Sequence, residues 1–275
     1  GGAMAPTAPS AALNRLKFAR QARVLAALHV LQQTCNHPAA LPAKRWPDPQ
    51  FATGALDASS PEFGPQAANS GKMARLLELL DEILAPPREK VLIFTQYLGT
   101  LNLIADLVEA SFAKVCARRF YGKLSREARD EEVRLFSEDP ASAVMVLTLG
   151  AGGVGLTLTA ATHVVHFDRC WNPAKEAQAT DRAHRIGQRS TVVVHRLVTA
   201  DTFEVRLANV VAKKRRLADA ALQAPAVAGA KVLAECTDDE LRGLFRLTGG
   251  PAPQGGAAAA AVRRRLGVGR KAGAT

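Results

Sequence analysis

Cysteine, aromatic residues and acidic charge are all scarce in this chain, and each shortage excludes something. Four cysteines stand among 275 residues, at Cys35, Cys116, Cys170 and Cys236. They lie far apart with no C-x-x-C pair, which argues against a disulfide scaffold or a zinc ribbon and for a reducing compartment. Cys35 and His37, two residues apart, make no metal site by themselves. No apolar run approaches the ~18–20 residues that a membrane-crossing helix needs, so no membrane partner is expected. The first residues, Gly1 to Ser10, carry no initiating methionine and no signal-peptide pattern, and they read as a cut end outside the fold. A complete phosphate loop is also lacking. Around Ser70-Gly71-Lys72 the pattern G-x-x-x-x-G-K-[ST] would need glycine at 66 and Ser or Thr at 73, where the chain has Gln66 and Met73. No D-E-A-H-like metal-binding box occurs either.

What is present is basic charge and α/β patterning. Lys and Arg number 36 against 25 acidic residues, a net charge of +11, with a pI near 10.0. That balance favours a polyanionic partner, nucleic acid first. Helical periodicity runs through Ala11–Cys35 and Met73–Leu84 and again around Leu101–Val108. A charged helix is expected at Ser125–Ser137. Short apolar runs at Val91–Gln96, Val115–Tyr121, Ala143–Thr148, His163–Phe167 and Thr191–Val198 read as strands. Strands alternating with helices predict a parallel sheet with helices on both faces, its ligands gathering outside the strands' carboxyl ends. Residues 38–70, rich in Pro, Ala, Ser and Gly, read as a linker. A long helix is expected from Thr202 to about Leu222, with a basic run that includes Lys213 and Lys214. A short helix from Thr237 to Leu247 follows, and the Gly/Ala/Pro-rich tail, basic at Arg263-Arg264-Arg265, reads as disordered.

Two stretches carry chemistry. In Trp171–Gln188, Asn172 is a cap candidate and Pro173 suits the first helical position, while Gly187 supplies a stop. Between them Gln178, Asp181, Arg182 and Arg185 fall at i, i+3, i+4 and i+7 and are expected on one helical face. Two guanidiniums converging there suit phosphate oxygens. The second stretch, Gly150–Gly155 after the third strand, satisfies G-x-G-x-x-G, and Asp168 ends the next strand. Read alone, that is a dinucleotide (NAD(P)-type) fingerprint. The segment from Gly155 to His163 is, however, too short for the usual crossover helix, and Asp168 comes early for a ribose contact.

Trp171–Gln188 (W-N-P, then Q-A-x-D-R-A-H-R-I-G-Q) resembles motif VI, with the segment before it, of the Swi/Snf-type ATP-dependent DNA translocases, a branch of the superfamily-two helicases. The glycine loop, A-G-G-V-G-L followed by L-T-A-A, resembles their motif V, and Lys90–Tyr97 (KVLIFTQY) their motif IV. Leu31–Pro38 (LQQTCNHP) and Tyr121-Gly122 with Ser125 and Arg129 resemble further segments of the same family. The resemblance covers about residues 25–248. It implies a C-terminal RecA-like helicase lobe at 71–222, preceded by a helical segment and linker (1–70) and followed by a helical extension (223–248) and a basic tail (249–275).

Arg185 foremost and Arg182 after it would be arginine fingers for ATP, with Gly153, Gly155, Gln178 and Asp181 near the nucleotide. Thr95, Gln96, Thr148, Gly152, Trp171, Lys213 and Lys214 would face nucleic acid. Trp171 is equally well read as a core residue, and His184 as one that packs its helix. ATP and Mg²⁺ would be bound mainly by an N-terminal RecA-like lobe, leaving the isolated chain inactive. The partners implied are double-stranded DNA, that other lobe, and a nucleosome or another DNA-bound protein. The implied roles are chromatin remodelling or DNA repair, in the nucleus or the bacterial nucleoid. Gly150 stands where many members carry Lys or Arg, and Thr157 where they carry Asn. The rival readings are a non-catalytic nucleic-acid-binding module and the NAD(P)-binding domain.

Overall fold

The computed structural model describes residues 8–41, 66–151, 155–170 and 173–206, with isolated positions at 44, 56, 208–209, 212 and 243. Five strands form one sheet: β1 (Val91–Thr95), β2 (Ala117–Phe120), β3 (Val144–Thr148), β4 (His163–His166) and β5 (Val193–Arg196). Their order is β2-β3-β1-β4-β5 and every neighbouring pair is parallel. This is the parallel α/β sheet that the alternation predicts, in the RecA-like form that the resemblance implies.

β1 shows why it forms. All five of its residues are buried, as a strand covered on both faces requires. Val91 and Ile93 enter one core with helix α2 (Gly71–Ile83) and helix α3 (Leu98–Ser111). Leu92 and Phe94 enter the other, with Phe136 of α4 (Arg126–Glu138) and Ala179 of α5 (Pro173–Thr180). The chain leaves β1 for the β2 edge, returns to β3, then crosses to β4. The strand ends around β1 therefore border a topological switch point, where such sheets bind ligands.

Several motif residues turn out to build the frame. Ser70 caps α2 by accepting from the Met73 amide, so the phosphate-loop look-alike is a helix start. Ser125 caps α4 in the same way, and Arg129 donates to the Gly122 carbonyl at 2.6 Å, so Ser125 and Arg129 set the turn between β2 and α4. Lys90 donates to the carbonyls of Phe136 and Asp139, closing the end of α4. A long helix α1 (Ala8–Asn36) precedes the lobe. His37 then caps a 3-10 turn, its Nδ1 accepting from the Ala39 amide. A helical segment begins again at 203–206. Lys213, Lys214, the expected helix at 237–247 (save Gly243) and the tail lie outside the described residues, and so do the boundaries at 222 and 248.

Candidate functional site

The carboxyl ends of β1 and β3 stand in register, Thr95 opposite Thr148, and the Leu149 amide donates to the Thr95 carbonyl at 2.9 Å. Thr148 is half-buried at the mouth of this edge. From the glycine loop the chain emerges at an exposed Gly155, where an added Cβ would meet no atom within 4 Å. Packing among the described residues therefore does not demand glycine at 155. Gly152, Gly153 and Trp171 lie outside the described residues.

The arginine-bearing segment differs from its expectation. α5 ends at Thr180, so Gln178, Asp181, Arg182 and Arg185 do not share one continuous helical face. Beyond Thr180 the backbone tightens: the Arg182 amide bonds the Ala179 carbonyl and the Ala183 amide that of Thr180, three residues back rather than four. Tightening turns Arg182 inward while Arg185 stays out. Gly187 closes the segment at φ 105°, a conformation that favours glycine. His184 is exposed, which corrects its reading as a packing residue.

The two arginines now occupy different environments. Arg185 is exposed, and one guanidinium nitrogen donates to Gly155 O (2.9 Å), Leu156 O (3.0 Å) and Thr157 Oγ1 (3.2 Å). It lies on the rim of the glycine loop. Arg182 is 6% exposed, and its Nε has no hydrogen-bond partner among the described residues. Burial, with the like charge of Arg185 second, lowers its pKa; Asp181 opposes both. The Arg182 carbonyl accepts from the Leu158 amide at 2.9 Å, which ties the arginine turn to the segment that follows the glycine loop. Gln178 and Asp181 are exposed beside them.

The Thr95 and Gln96 side chains, expected to face nucleic acid, are engaged within the chain. Thr95 is fully buried and donates its hydroxyl to Asp168. The Gln96 side-chain amide donates to Gln32 Oε1 (3.1 Å) and Arg169 O (3.0 Å). Asp168 itself is 0% exposed and also accepts from the Gln96 amide and from Asn36 Nδ2. Burial pushes its pKa up, against the pull of these donors and of Lys72. No ribose reaches a carboxylate so enclosed, which removes the residue that the dinucleotide fingerprint needs.

The sequence reading also passed over a set of supporting groups. Glu176, in the first turn of α5, accepts from Arg169 at 2.9 and 3.1 Å and from the Cys170 amide at 2.7 Å. Lys72 and Glu204 form a buried pair at 2.6 Å. His166, fully buried beneath α5, bonds Thr180 Oγ1 at 3.0 Å and stacks on Phe94. Burial above all pushes its pKa down to about 4. An acid in the first helical turn was a visible signal for Glu176, since negative charge suits a helix N-terminus; nothing local marked the others.

Residues 71–187 match the family model described as the helicase conserved C-terminal domain. The putative ATP-dependent helicase/translocase YwqA of Bacillus subtilis is 37% identical over 229 residues, covering 83% of this chain and 22% of that protein. The human DNA excision repair protein ERCC-6-like is 38% identical over 197 residues, covering 66% of this chain and 16% of that protein. The chain thus spans about a fifth of the length of the curated relatives it matches. Among solved structures, the Sulfolobus solfataricus SWI2/SNF2 ATPase C-terminal domain superposes with a TM-score of 0.61 at 29% identity, covering 83% of each chain. The core of that ATPase in complex with dsDNA gives 0.63 at 31% identity, covering 83% of this chain and 43% of the other.

Proposed function

The chain belongs to the Swi2/Snf2 helicases through a helicase conserved C-terminal domain at residues 71–187, and from that premise we propose that it is the second motor lobe of a DNA-dependent ATPase that translocates on duplex DNA and remodels protein–DNA complexes. In this reading ATP and Mg²⁺ are held mainly by an N-terminal RecA-like lobe, and the metal and that lobe supply the chemistry of phosphoryl transfer to water. This chain contributes the arginines. Arg185 leaves its loop carbonyls to meet the γ-phosphate, stabilising charge that spreads over the transferring oxygens, an effect worth ~10³–10⁵ in rate. Arg182 stands behind it as a buried cation.

One observation carries the reading. An exposed guanidinium rests on the rim of the glycine loop while a second, buried one a turn away has an Nε with no hydrogen-bond partner among the described residues. A buried cation with unmet hydrogen-bonding capacity is costly unless an anion answers it. The net charge of +11 suits a DNA track, and the Sulfolobus relative was solved on dsDNA. Work on DNA implies residence where DNA is, the nucleus of a eukaryote or the nucleoid of a bacterium.

The test is Arg185→Ala in a protein carrying both lobes. DNA-stimulated ATP hydrolysis should fall at least ~10³-fold with duplex affinity nearly intact. Lost DNA binding with retained turnover would make Arg185 a DNA-phosphate anchor instead. The 275-residue chain alone should show no DNA-stimulated turnover.

A further inference from the structure

Helix α1 lies upstream of the matched domain, yet three of its residues reach the strand-end edge. His29, Gln32 and Asn36 fall at i, i+3 and i+7, on one face of the helix. Gln32, 1% exposed, donates to Arg169 O at 2.6 Å and accepts from Gln96 Nε2 (3.1 Å) and from the Tyr97 hydroxyl (2.8 Å). His29 Nδ1 meets the same hydroxyl at 2.8 Å. Since that hydroxyl gives its proton to Gln32, the imidazole is the donor to it. Asn36 bridges Asp168 (3.0 Å) and Lys72 (3.2 Å). The Arg169 carbonyl therefore receives two amide donors, Gln32 from α1 and Gln96 from the end of β1.

The turn at 168–170 is gripped from the opposite side as well. Glu176 holds the Arg169 guanidinium and the Cys170 amide. α5 and the arginine turn follow directly from this clamp. We propose that Gln32 is a positioning residue for the motor: by fixing the Arg169 carbonyl and Gln96 it sets the seat of α5 and so of the turn after it that carries Arg182 and Arg185. Gln32 touches neither nucleotide nor DNA in this scheme. Its amide joins α1, the β1 end and the β4 end, beside the Asp168 carboxylate that links the same three elements through Asn36, Thr95 and the Gln96 amide, and it makes α1 a working part of the lobe. The inference rests on the functional reading above, since it concerns the reach of the same arginines.

The experiment compares Gln32→Leu with Gln32→Glu and Arg185→Ala in the two-lobed protein. Gln32→Glu keeps the acceptor for Gln96 and Tyr97 but sets an oxygen, in a buried carboxyl group, against Arg169 O in place of the donor. Both Gln32 variants should lower kcat for DNA-stimulated hydrolysis by ~10- to 100-fold, the cost of a displacement of about 1 Å at a reacting group. KM for ATP and duplex affinity should stay within about threefold. In the 275-residue chain, hydrogen–deuterium exchange should rise at amides 168–176 and stay unchanged in β1–β3. Wild-type kcat in both variants, while Arg185→Ala is inactive, overturns the positioning role and leaves the motor assignment standing. Full turnover in Arg185→Ala overturns instead the arginine-finger role of Arg185 on which this inference rests. Unchanged exchange at 168–176 overturns the positioning role whatever the kinetics show. Should either variant fail to fold, the other carries every arm.

Discussion

Along the β1–β4 side of the strand-end edge, polar groups are buried and answer one another. Asp168 faces Thr95, Gln96 and Asn36, Asn36 faces Lys72, and Lys72 faces Glu204 while lying over the Phe167 ring. Along the β3–α5 side, Gly155, Thr157, Gln178, Asp181 and Arg185 are exposed. There Arg185 rests on carbonyls that water could serve equally well. The first side is a brace and the second is open. Low dielectric makes each bond of the brace strong and each broken one expensive, so it can hold a geometry but cannot exchange partners freely. The open side gives up little when it lets go, which is what a group that must meet a moving ligand requires.

Glu204→Gln tests the brace with the largest effect. Removing one charge of a buried pair leaves Lys72 uncompensated and should cost ~3–5 kcal/mol, measured by denaturant unfolding of the 275-residue chain. Arg185→Ala, on the open side, should stay within about 0.5 kcal/mol of wild type. Replacing Lys72 and Glu204 together by Met and Leu should recover most of the loss, because packed apolar groups leave no orphan charge. Equal losses from Glu204→Gln and Arg185→Ala would erase the distinction between the two sides.

The open side was legible in the sequence and the brace was not. Glycines, W-N-P and two arginines at short spacing are local signals, and the strands announced themselves by apolar runs bounded by Gly and Pro. The brace joins residues 29–36, 72, 95–97, 168–176 and 199–204 across as many as 137 positions. No periodicity encodes which buried Asn meets which Asp. Thr95 and Gln96 show the consequence: the motif placed them correctly at a strand end, and only the fold reveals that Asp168 and Gln32 already hold them. Arg182 shows the complementary failure. Helical spacing assumed that α5 continues past Thr180, whereas the tightened turn rotates one arginine in and leaves the other out.

His166, buried beneath α5 and next to the brace, adds a pH signature. Its folded pKa of about 4 lies below the ordinary ~6.5 of an unfolded histidine. The unfolded chain then binds the extra proton first as pH falls. The stabilising contribution is complete above about pH 6.5 and is lost between there and pH 4, at most ~3 kcal/mol in all. Asp168, whose pKa burial raises, acts with the opposite sign and softens the acid limb. His166→Gln keeps a hydrogen-bonding group near Thr180 and should flatten stability between pH 6.5 and 4 relative to wild type. Parallel curves for the two proteins would show that His166 does not titrate in this range.

Thr157→Val should have the smallest effect, and for that reason it is the finest test of the open side. The substitution removes one of the three acceptors of Arg185, the hydroxyl at 3.2 Å, and leaves the carbonyls of Gly155 and Leu156 at 2.9 and 3.0 Å. Thr157 is exposed, so water replaces the lost acceptor and no polar group is stranded. Stability should move by less than about 0.5 kcal/mol. In the two-lobed protein, turnover should change by no more than about threefold, since the guanidinium must leave this loop in any case to act on ATP. A loss above ~1 kcal/mol would mean that Thr157 is part of a tight cluster like that around Asp168, and that Arg185 is held rather than resting. That outcome would move Arg185 from the open side to the brace and with it the boundary between the parts of this lobe that hold and the part that reaches.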